Sequence, residues 1–252
     1  MPNSPTRRAA LVTGASYGIG AASAIALAKD GCDVAITDLR PADLAATAAA
    51  IEAGGGRAAP LSLDVCDQDS VEAGFALAVE AFGRLDVLVN NAGIPMTRPA
   101  VDITRAEWEA ALAVNLTGTF FMCQQMGRHL IGAGRPGAIV SLASTHGTVG
   151  FPNVIAYGVA KAGISHMTRI LAIEWAPHGI RVNAVAPGTT ETPSRAPMLA
   201  DPARRETMLK RIPLGRFGNA EEMAAAVRYL VSPEASYITG QILLLDGGLT
   251  AY

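Results

Sequence analysis

Residues 9–20, AALVTGASYGIG, decide the fold of this chain. Ala9–Thr13 is a short continuous apolar run, typical of a strand buried on both faces, and an alanine-rich helical pattern follows over Gly18–Lys29. Gly14, Gly18 and Gly20 let the backbone approach a phosphate closely, and the helix behind them offers unpaired N–H groups and a positive dipole end. At the first strand of a β–α–β unit, this GxxxGxG turn predicts a dinucleotide site rather than plain turn chemistry.

Apolar runs and helical patterns then alternate to the end of the chain. Further strands are predicted at Val34–Asp38, Ala58–Asp64, Val87–Asn90, Ala138–Leu142, Val182–Ala186 and Ile242–Leu245. Further helices are predicted at Ala42–Ala53, from an Asp67 cap to about Phe82, from a Thr104–Glu107 capping box to about Ile131, from about Asn153 to near Pro177, and at Glu221–Leu230. This pattern predicts an α/β fold in which residues 1–252 form a single doubly wound domain with a parallel sheet flanked by helices.

Residues 189–217 fit this pattern least well. They hold four prolines and a cluster of charges, with no strand pattern. An excursion of this length inside a compact domain is usually functional or mobile, and we expect this one to cover the substrate.

Composition excludes several classes of protein. The 252 residues carry a net charge of −2 and are half apolar, which favours a well-packed globular protein over a nucleic-acid or anionic-membrane binder. Cys32, Cys66 and Cys123 are far apart without a CxxC pair, so we expect no disulfide framework, no metal site and a reducing compartment. The start, MPNSPTRRAALVTG, lacks a signal-peptide core, and the longest uncharged stretch, residues 137–160, is too polar to span a membrane. A cytoplasmic protein is predicted.

An acid stands at the end of the second predicted strand. Asp38 lies 18 residues after Gly20, where a carboxylate accepts hydrogen bonds from the adenosine ribose hydroxyls and repels a 2′-phosphate. Arg40 could pair with such a phosphate, whereas Tyr17 supplies no positive charge. The pattern favours NAD over NADP; the alternative is a solvated acid or a helix cap before Pro41.

Tyr157 and Lys161 share one face of a predicted helix because they are four residues apart. A tyrosine acts near neutral pH only if its pKa falls by about three units from ~10, and a neighbouring ammonium favours the phenolate. Ser144 follows the fifth predicted strand, so its hydroxyl lies near the carboxyl edge of the sheet. A YxxxK pair alone is usually a surface pair; together with this serine and the glycine turn it predicts a proton-transfer site.

Motifs along nearly the whole chain resemble those of the short-chain dehydrogenase/reductase family, in its branch of about 250 residues. They are TGASYGIG from Thr13, NNAG from Asn90, VNLTG around Asn115, SLAS ending at Ser144, YGVAK from Tyr157, VNAVAPG from Val182 and ITGQILLLDGG from Ile238. The resemblance implies a Rossmann-type domain with a seven-stranded parallel sheet in the order 3-2-1-4-5-6-7, and a homotetramer.

The resemblance also implies residue roles. Asn115, Ser144, Tyr157 and Lys161 match the family's catalytic tetrad: the tyrosine exchanges a proton with substrate, the serine orients the substrate oxygen, the lysine lowers the tyrosine pKa and bonds the nicotinamide ribose, and the asparagine holds a relay water. The cofactor-binding set implied is Gly14, Ser16, Tyr17, Gly18, Ile19, Gly20, Asp38, Leu39, Asp64, Val65, Asn91, Ala92, Gly93, Tyr157, Lys161, Pro187, Gly188, Thr190 and Thr192. Ser144, Thr145, His146, Asn153 and Glu191 are expected to contact substrate.

Three functions are weighed. The first is an NAD-dependent dehydrogenase that oxidises a secondary alcohol, such as a sugar, polyol or other small hydroxylated molecule, to a ketone or lactone. The second is an NADPH-dependent 3-oxoacyl thioester (acyl-carrier-protein) reductase, which would require more cationic residues than Arg40 near the second strand. The third is a non-catalytic redox sensor that binds the dinucleotide, which the intact tetrad disfavours.

Overall fold

A computed structural model describes residues 7–251, so residues 1–6 of the N-terminal stretch lie outside the described residues. Seven parallel strands form one sheet in the order β3-β2-β1-β4-β5-β6-β7, which confirms the predicted order. The strands are β1 (Ala9–Thr13), β2 (Asp33–Asp38), β3 (Ala58–Ser62), β4 (Val87–Asn90), β5 (Gly137–Leu142), β6 (Ile180–Pro187) and β7 (Ile242–Leu245).

Helices cover both faces of this sheet. They are α1 (Gly18–Lys29), α2 (Ala45–Ala53), α3 (Gln68–Phe82), α4 (Arg105–Leu112), α5 (Gly118–Gly132), α6 (Ile155–Trp175), α7 (Ala196–Leu199), α8 (Pro202–Leu209) and α9 (Ala220–Val231). Among the helices described, none combines the length and the apolar character needed to cross a bilayer.

The side chains along each strand alternate between two hydrophobic cores, one on each face of the sheet. Val87 and Val89 of β4 pack on one face with residues of α1 and α9, whereas Leu88 packs on the other with residues of α3, α5 and α6. Successive strand side chains point to opposite faces, so a strand needs a continuous apolar run to supply both cores. This explains why the central strands are buried runs such as VLVN in β4, whereas β3 and β7 at the two edges of the sheet are partly exposed.

Several predicted boundaries differ from the structure, and two of these differences lie near the carboxyl edge of the sheet: the helix after Thr104 and the end of the third strand. The helix expected from Thr104 to about Ile131 has the predicted capping box, but a π-helical turn at Ala113–Thr117 divides it into α4 and α5. The third strand ends at Ser62 rather than Asp64, because the Asp64 carboxylate accepts the backbone N–H of Cys66 (2.9 Å) and turns the chain there.

The excursion over residues 189–217 leaves the sheet after β6 and contains α7 and α8. Its two ends are joined by backbone hydrogen bonds from Gly218 N to Thr189 O (3.0 Å) and from Glu191 N to Gly218 O (2.8 Å). The sequence pattern showed no strand here, and the structure has only an isolated bridge between Thr190 and Gly218. The excursion is therefore closed at its base and stands at the carboxyl edge of the sheet.

Candidate active site

The glycine turn after β1 is fastened to the loop after β4. Asn91 Nδ2 donates to the carbonyls of Thr13 (3.1 Å) and Gly14 (2.7 Å), while Thr13 Oγ1 accepts the N–H groups of Asn91 and Ala92, each at 3.1 Å. Gly14 has φ of +63°, and a Cβ there would lie 2.9 Å from Ala92 Cα. Glycine is required at this position because both the conformation and the contact disfavour a side chain.

Gly20 has a different reason to be glycine. A Cβ built at Gly20 would collide with the Gly14 carbonyl oxygen and lie 2.5 Å from Asn91 Nδ2. The first turn of α1 is thus packed directly onto the turn that precedes it. Gly20 therefore fixes the shape of the glycine turn, beside which the Tyr17 side chain is exposed.

The first turn of α1 is open. Its N-cap is Tyr17, whose side chain makes no capping hydrogen bond. Four other helices have acceptor side chains at this position: Asp67, Thr104, Asp201 and Asn219. Unpaired N–H groups at a helix N-terminus bind anions.

The excursion approaches this turn from the other side. A Cβ built at Gly18 would lie 3.5 Å from Thr192 Cγ2, which is ordinary van der Waals contact. Thr190, which is buried, donates to the Gly188 carbonyl (3.3 Å), and Gly188 N donates to Leu245 O (2.9 Å), so Pro187 to Thr190 are held against β7. The glycine turn and Thr192 therefore form a cradle that fits the diphosphate of a dinucleotide.

The predicted acid lies next to the glycine turn. Asp38 Oδ2 accepts a hydrogen bond from Ser16 Oγ (2.5 Å), and Asp38 Oδ1 accepts from Leu39 N (2.9 Å). The side chains of Tyr17 and Leu39 are more than half exposed beside it. Arg40 does not turn toward this site in the structure, because its guanidinium pairs with Asp43 at 2.8 Å.

Asp64 and Val65 follow β3 at the same edge of the sheet. The Asp64 N–H donates to Ser70 Oγ (2.9 Å), and Val65 packs so closely on α5 that a Cβ at Gly118 would lie 2.6 Å from the Val65 carbonyl oxygen. Both residues are half-buried. They border the same edge as Asp38, as expected for residues flanking an adenine ring.

Three elements bring the tetrad residues to one place. Ser144 follows β5, Tyr157 and Lys161 lie on α6, and Asn115 lies on the π turn. Lys161 Nζ is 5.6 Å from the centroid of the Tyr157 ring. A Cβ built at Gly93 would lie 2.8 Å from Asn115 Oδ1 and 3.6 Å from Lys161 Nζ, so Asn115 and Lys161 meet at that glycine.

Lys161 is buried, and its Nζ donates to the Leu142 carbonyl at 2.6 Å. Burial lowers the pKa of Lys161 from 10.5 to about 8, since the charged form loses solvation. The sequence pattern predicted an ammonium next to Tyr157 but not its bond to the end of β5. That hydrogen bond holds the Lys161 ammonium between the end of β5 and the Tyr157 ring.

The π turn is explained by Asn115. Its Nδ2 donates to the carbonyls of Ile94 and Ala111, each at 3.0 Å, and its Oδ1 accepts the Ile94 N–H at 3.2 Å. The side chain thereby ties the helix to the loop after β4. π turns are rare and occur frequently at functional sites.

The expected substrate residues are not all brought together. Thr145 is buried and His146 N donates to Ser144 Oγ (3.2 Å), so both adjoin the tetrad. Asn153 has φ of +65° and uses its carbonyl to accept Arg98 N (2.7 Å), which joins two loops. Glu191 is exposed and pairs with Arg205 of α8 (3.3 Å).

A groove of about 440 Å³ lies within the excursion. It is lined by Glu191, Thr192, Pro193, Ala196, Leu199, Ala200 and Arg205. None of the tetrad residues lines this groove. The groove belongs to the excursion and meets the cradle at Thr192.

Sequence reasoning missed the surroundings of His146. Its ring packs on Phe151 (4.7 Å between centroids) and edge-on to Tyr157 (5.9 Å). The guanidinium of Arg211 lies 4.4 Å from the Phe151 centroid. No local signal could reveal this cluster, because Arg211 is sixty residues further along the chain than Phe151.

Comparisons with known proteins find relatives along nearly the whole chain. A family model described as enoyl-(acyl carrier protein) reductase matches residues 14–250. A 3β-hydroxysteroid dehydrogenase of Eggerthella lenta is 41% identical over 96% of this chain and 93% of its own length. A D-threitol dehydrogenase of Mycolicibacterium smegmatis is 40% identical over 96% and 93%, and a 3-oxoacyl-(acyl-carrier-protein) reductase of Thermotoga maritima is 42% identical over 95% and 96%.

Solved structures give the same result. A putative short-chain alcohol dehydrogenase from Sinorhizobium meliloti superposes with a TM-score of 0.94 at 44% identity, covering 97% of this chain and 96% of that one. A putative 2-deoxy-D-gluconate 3-dehydrogenase from Agrobacterium tumefaciens, with bound NADP, superposes with a TM-score of 0.92 at 39% identity, covering 100% and 99%.

The fold and these relatives define an oxidoreductase with a Rossmann-type sheet. The chain belongs to the short-chain dehydrogenase/reductase family, as its motifs indicated. Members of this family bind a nicotinamide dinucleotide, and the cradle between the glycine turn and Thr192 fits that group.

Proposed function

We propose that this protein is an NAD-dependent dehydrogenase that oxidises a secondary alcohol of a small hydroxylated molecule to a ketone or lactone. The observation that carries the cofactor choice is the carboxylate of Asp38, held by Ser16 at the edge of the glycine turn (2.5 Å). A fixed negative charge here accepts hydrogen bonds from ribose hydroxyls and opposes a phosphate on the same ribose.

Arg40 supports the same choice. Its guanidinium is engaged by Asp43 at 2.8 Å, so a 2′-phosphate would have to compete with that carboxylate. Tyr17 is exposed at the turn and carries no charge. The Asp38 carboxylate can therefore accept hydrogen bonds from the ribose hydroxyls of NAD, whereas it would repel the 2′-phosphate of NADP.

The proposed chemistry uses the tetrad. The bound nicotinamide supplies the hydride acceptor. Tyr157 Oη takes the proton of the substrate hydroxyl, and Ser144 Oγ, which is held by His146 N, orients the same oxygen. Lys161, fixed on the Leu142 carbonyl, contributes positive charge beside the Tyr157 ring and binds the nicotinamide ribose. Asn115 holds a water that passes the proton from the lysine to solvent.

The second candidate is an NADPH-dependent 3-oxoacyl thioester reductase. The 42% identity to the Thermotoga maritima reductase and the NADP in the Agrobacterium tumefaciens structure favour it. Against it stands the acid at position 38. A non-catalytic redox sensor is disfavoured because Asn115, Ser144, Tyr157 and Lys161 are all present.

Initial rates with NAD and NADP test the cofactor choice. We expect a higher kcat/KM with NAD, and in Asp38→Asn we expect the NAD-to-NADP ratio to fall by about tenfold or more, since a charge-assisted hydrogen bond contributes about 1.5–3 kcal/mol. Asp30→Asn is the matched control because Asp30 is an exposed acid at the far end of α1. A wild-type preference for NADP, or an unchanged ratio in Asp38→Asn, would contradict the role of Asp38.

The substrate class is proposed from the relatives and the pocket. The D-threitol dehydrogenase named above acts on a small polyol, and Thr145 and His146 add polar groups next to Ser144. We infer that residues 189–217 cover the substrate, since Thr192 of this excursion lies next to Gly18 in the glycine turn. A panel of polyols, sugars and hydroxylated rings with purified protein tests this; turnover of apolar steroids alone would refute it.

We also propose a cytoplasmic homotetramer. Three cysteines without a disulfide partner suit a reducing compartment. Phe120 on α5 and Ile170 and Ile173 on α6 expose apolar surface that is typical of interfaces between subunits. Light scattering should give four times the 26.0 kDa chain mass, and Ile173→Asp should lower it. A monomer at all concentrations would refute the tetramer.

A further inference from the structure

A cluster of aromatic and cationic groups extends from the tetrad into the excursion. His146 is edge-on to Tyr157, Phe151 lies against His146, and the Arg211 guanidinium lies over Phe151. Each step is between 4.4 and 5.9 Å, so the guanidinium stands only two rings away from the proposed proton acceptor.

Arg195 lies on the same excursion, at the end of the short helical turn Pro193–Arg195. Burial lowers the pKa of His146, and the positive charges of Arg195 and Arg211 lower it further. The Nδ1 atom of His146 is buried and has no hydrogen-bond partner among the described residues. A histidine with an unused polar atom therefore lies beside the Phe151 ring that carries the Arg211 guanidinium.

The charge of the excursion is unbalanced. Residues 189–217 contain six cationic and three acidic side chains, a net charge of +3 in a chain of net charge −2. The three acids are engaged elsewhere: Glu191 pairs with Arg205, Glu206 pairs with Lys210, and Asp201 caps α8. Within residues 7–251, Arg195 has no ion-pair partner.

We propose that the alcohol substrate carries a carboxylate, which Arg195 and Arg211 bind beside His146 while the hydroxyl lies at Ser144 and Tyr157. A planar carboxylate matches the fork of a guanidinium. Arg195 is partly buried, which strengthens a pairing there, whereas Arg211 is exposed. His146 Nδ1 then meets the polar part of the substrate. This inference rests on the proposed function and narrows its substrate to hydroxycarboxylic acids.

The test measures binding before turnover. Protein saturated with the dinucleotide that it binds is titrated calorimetrically with carboxylate and carboxamide pairs that lack a hydroxyl, from butanoate and butanamide to cyclohexanecarboxylate and cyclohexanecarboxamide. In at least one pair the carboxylate should bind about tenfold more tightly or better, the range expected for a charge-assisted bond. If no carboxylate binds more tightly than its amide, the proposal is wrong.

Variants locate the effect. Arg195→Gln and Arg211→Gln should each bring the carboxylate close to the affinity of its amide, whereas Arg211→Lys should retain part of the preference. Arg204→Gln is the matched control, because Arg204 is an exposed cation on α8 of the same excursion. Dinucleotide affinity checks that each variant is folded. Equal weakening of acid and amide, or the same effect in Arg204→Gln, would overturn the assignment.

Turnover separates this inference from the proposed function. Hydroxy acids and their amides, with two to six carbons between the two groups, are compared by kcat/KM. Oxidation of the amides as fast as the acids would leave the dehydrogenase in place and remove the carboxylate site. Tighter carboxylate binding without oxidation of any alcohol would keep the anion site and refute the dehydrogenase.

Discussion

Replacing Lys161 with methionine gives a sharp test of the site, because Lys161 is the buried cation on which the proposed chemistry depends. Burial lowers its pKa from 10.5 to about 8 in the folded protein. Between these two pH values the unfolded chain holds a proton that the folded chain lacks, so stability rises with pH in this window. Below pH 8 both states are protonated and the folded state carries the full desolvation cost.

The magnitude follows from the width of the window. At about 1.4 kcal/mol per pKa unit, the shift corresponds to about 3 kcal/mol. The free energy of unfolding of the wild type, minus that of Lys161→Met, should therefore increase by about 3 kcal/mol as the pH rises from 8 to 10.5. Loss of the bond to the Leu142 carbonyl adds an offset at each pH but leaves the direction of the change unaltered.

Urea unfolding at a series of pH values measures this difference. Lys29→Met serves as the control, because Lys29 lies exposed at the end of α1, and its curve should run parallel to the wild type. If the curve of Lys161→Met also runs parallel to the wild type, the ammonium is not desolvated and our view of the site is wrong.

Three further variants test the site. Gly20→Ala should cost about 1–3 kcal/mol of stability and weaken NAD binding, because its Cβ collides with the Gly14 carbonyl. The control Gly132→Ala, which has open space around it, should be neutral or stabilising. Equal urea midpoints for the two variants would contradict this prediction. Asn115→Ala should lower stability by about 1–3 kcal/mol and speed amide hydrogen exchange at Ile94, because the Ile94 backbone loses its two hydrogen bonds to the Asn115 side chain. An unchanged exchange rate at Ile94 would contradict this role of Asn115. Tyr157→Phe should lower kcat by about 10²–10⁴-fold with NAD affinity unchanged in fluorescence titration, and retained turnover would remove Tyr157 from the mechanism.

The local elements were predictable because their signals are local. The continuous apolar runs of β1, β4 and β7 and the Asp67, Thr104 and Asn219 caps need only neighbouring residues. The strand order was also correctly predicted, but from the resemblance rather than from the runs themselves. A run of apolar residues predicts that a strand is buried without specifying which strand lies beside it.

The break in the helix after Thr104 was not predictable in the same way. Residues 104–131 have a helical pattern throughout, and nothing in it marks a π turn. The turn is accompanied by three hydrogen bonds of Asn115, two of them to Ile94 in a loop that lies twenty-one residues earlier. Only the folded chain brings these groups together.

The sequence by itself determined which groups are available to this protein: the glycine turn, Asp38 and the YxxxK pair, each recognisable from a few adjacent residues. The tertiary structure alone decided how they are used. It bonds Asp38 to Ser16, engages Arg40 with Asp43, seats Lys161 on the Leu142 carbonyl and sets Arg211 over Phe151. Charge and hydrogen-bond capacity are properties of single residues, whereas their partners and their burial depend on which distant segments the sheet brings to its carboxyl edge.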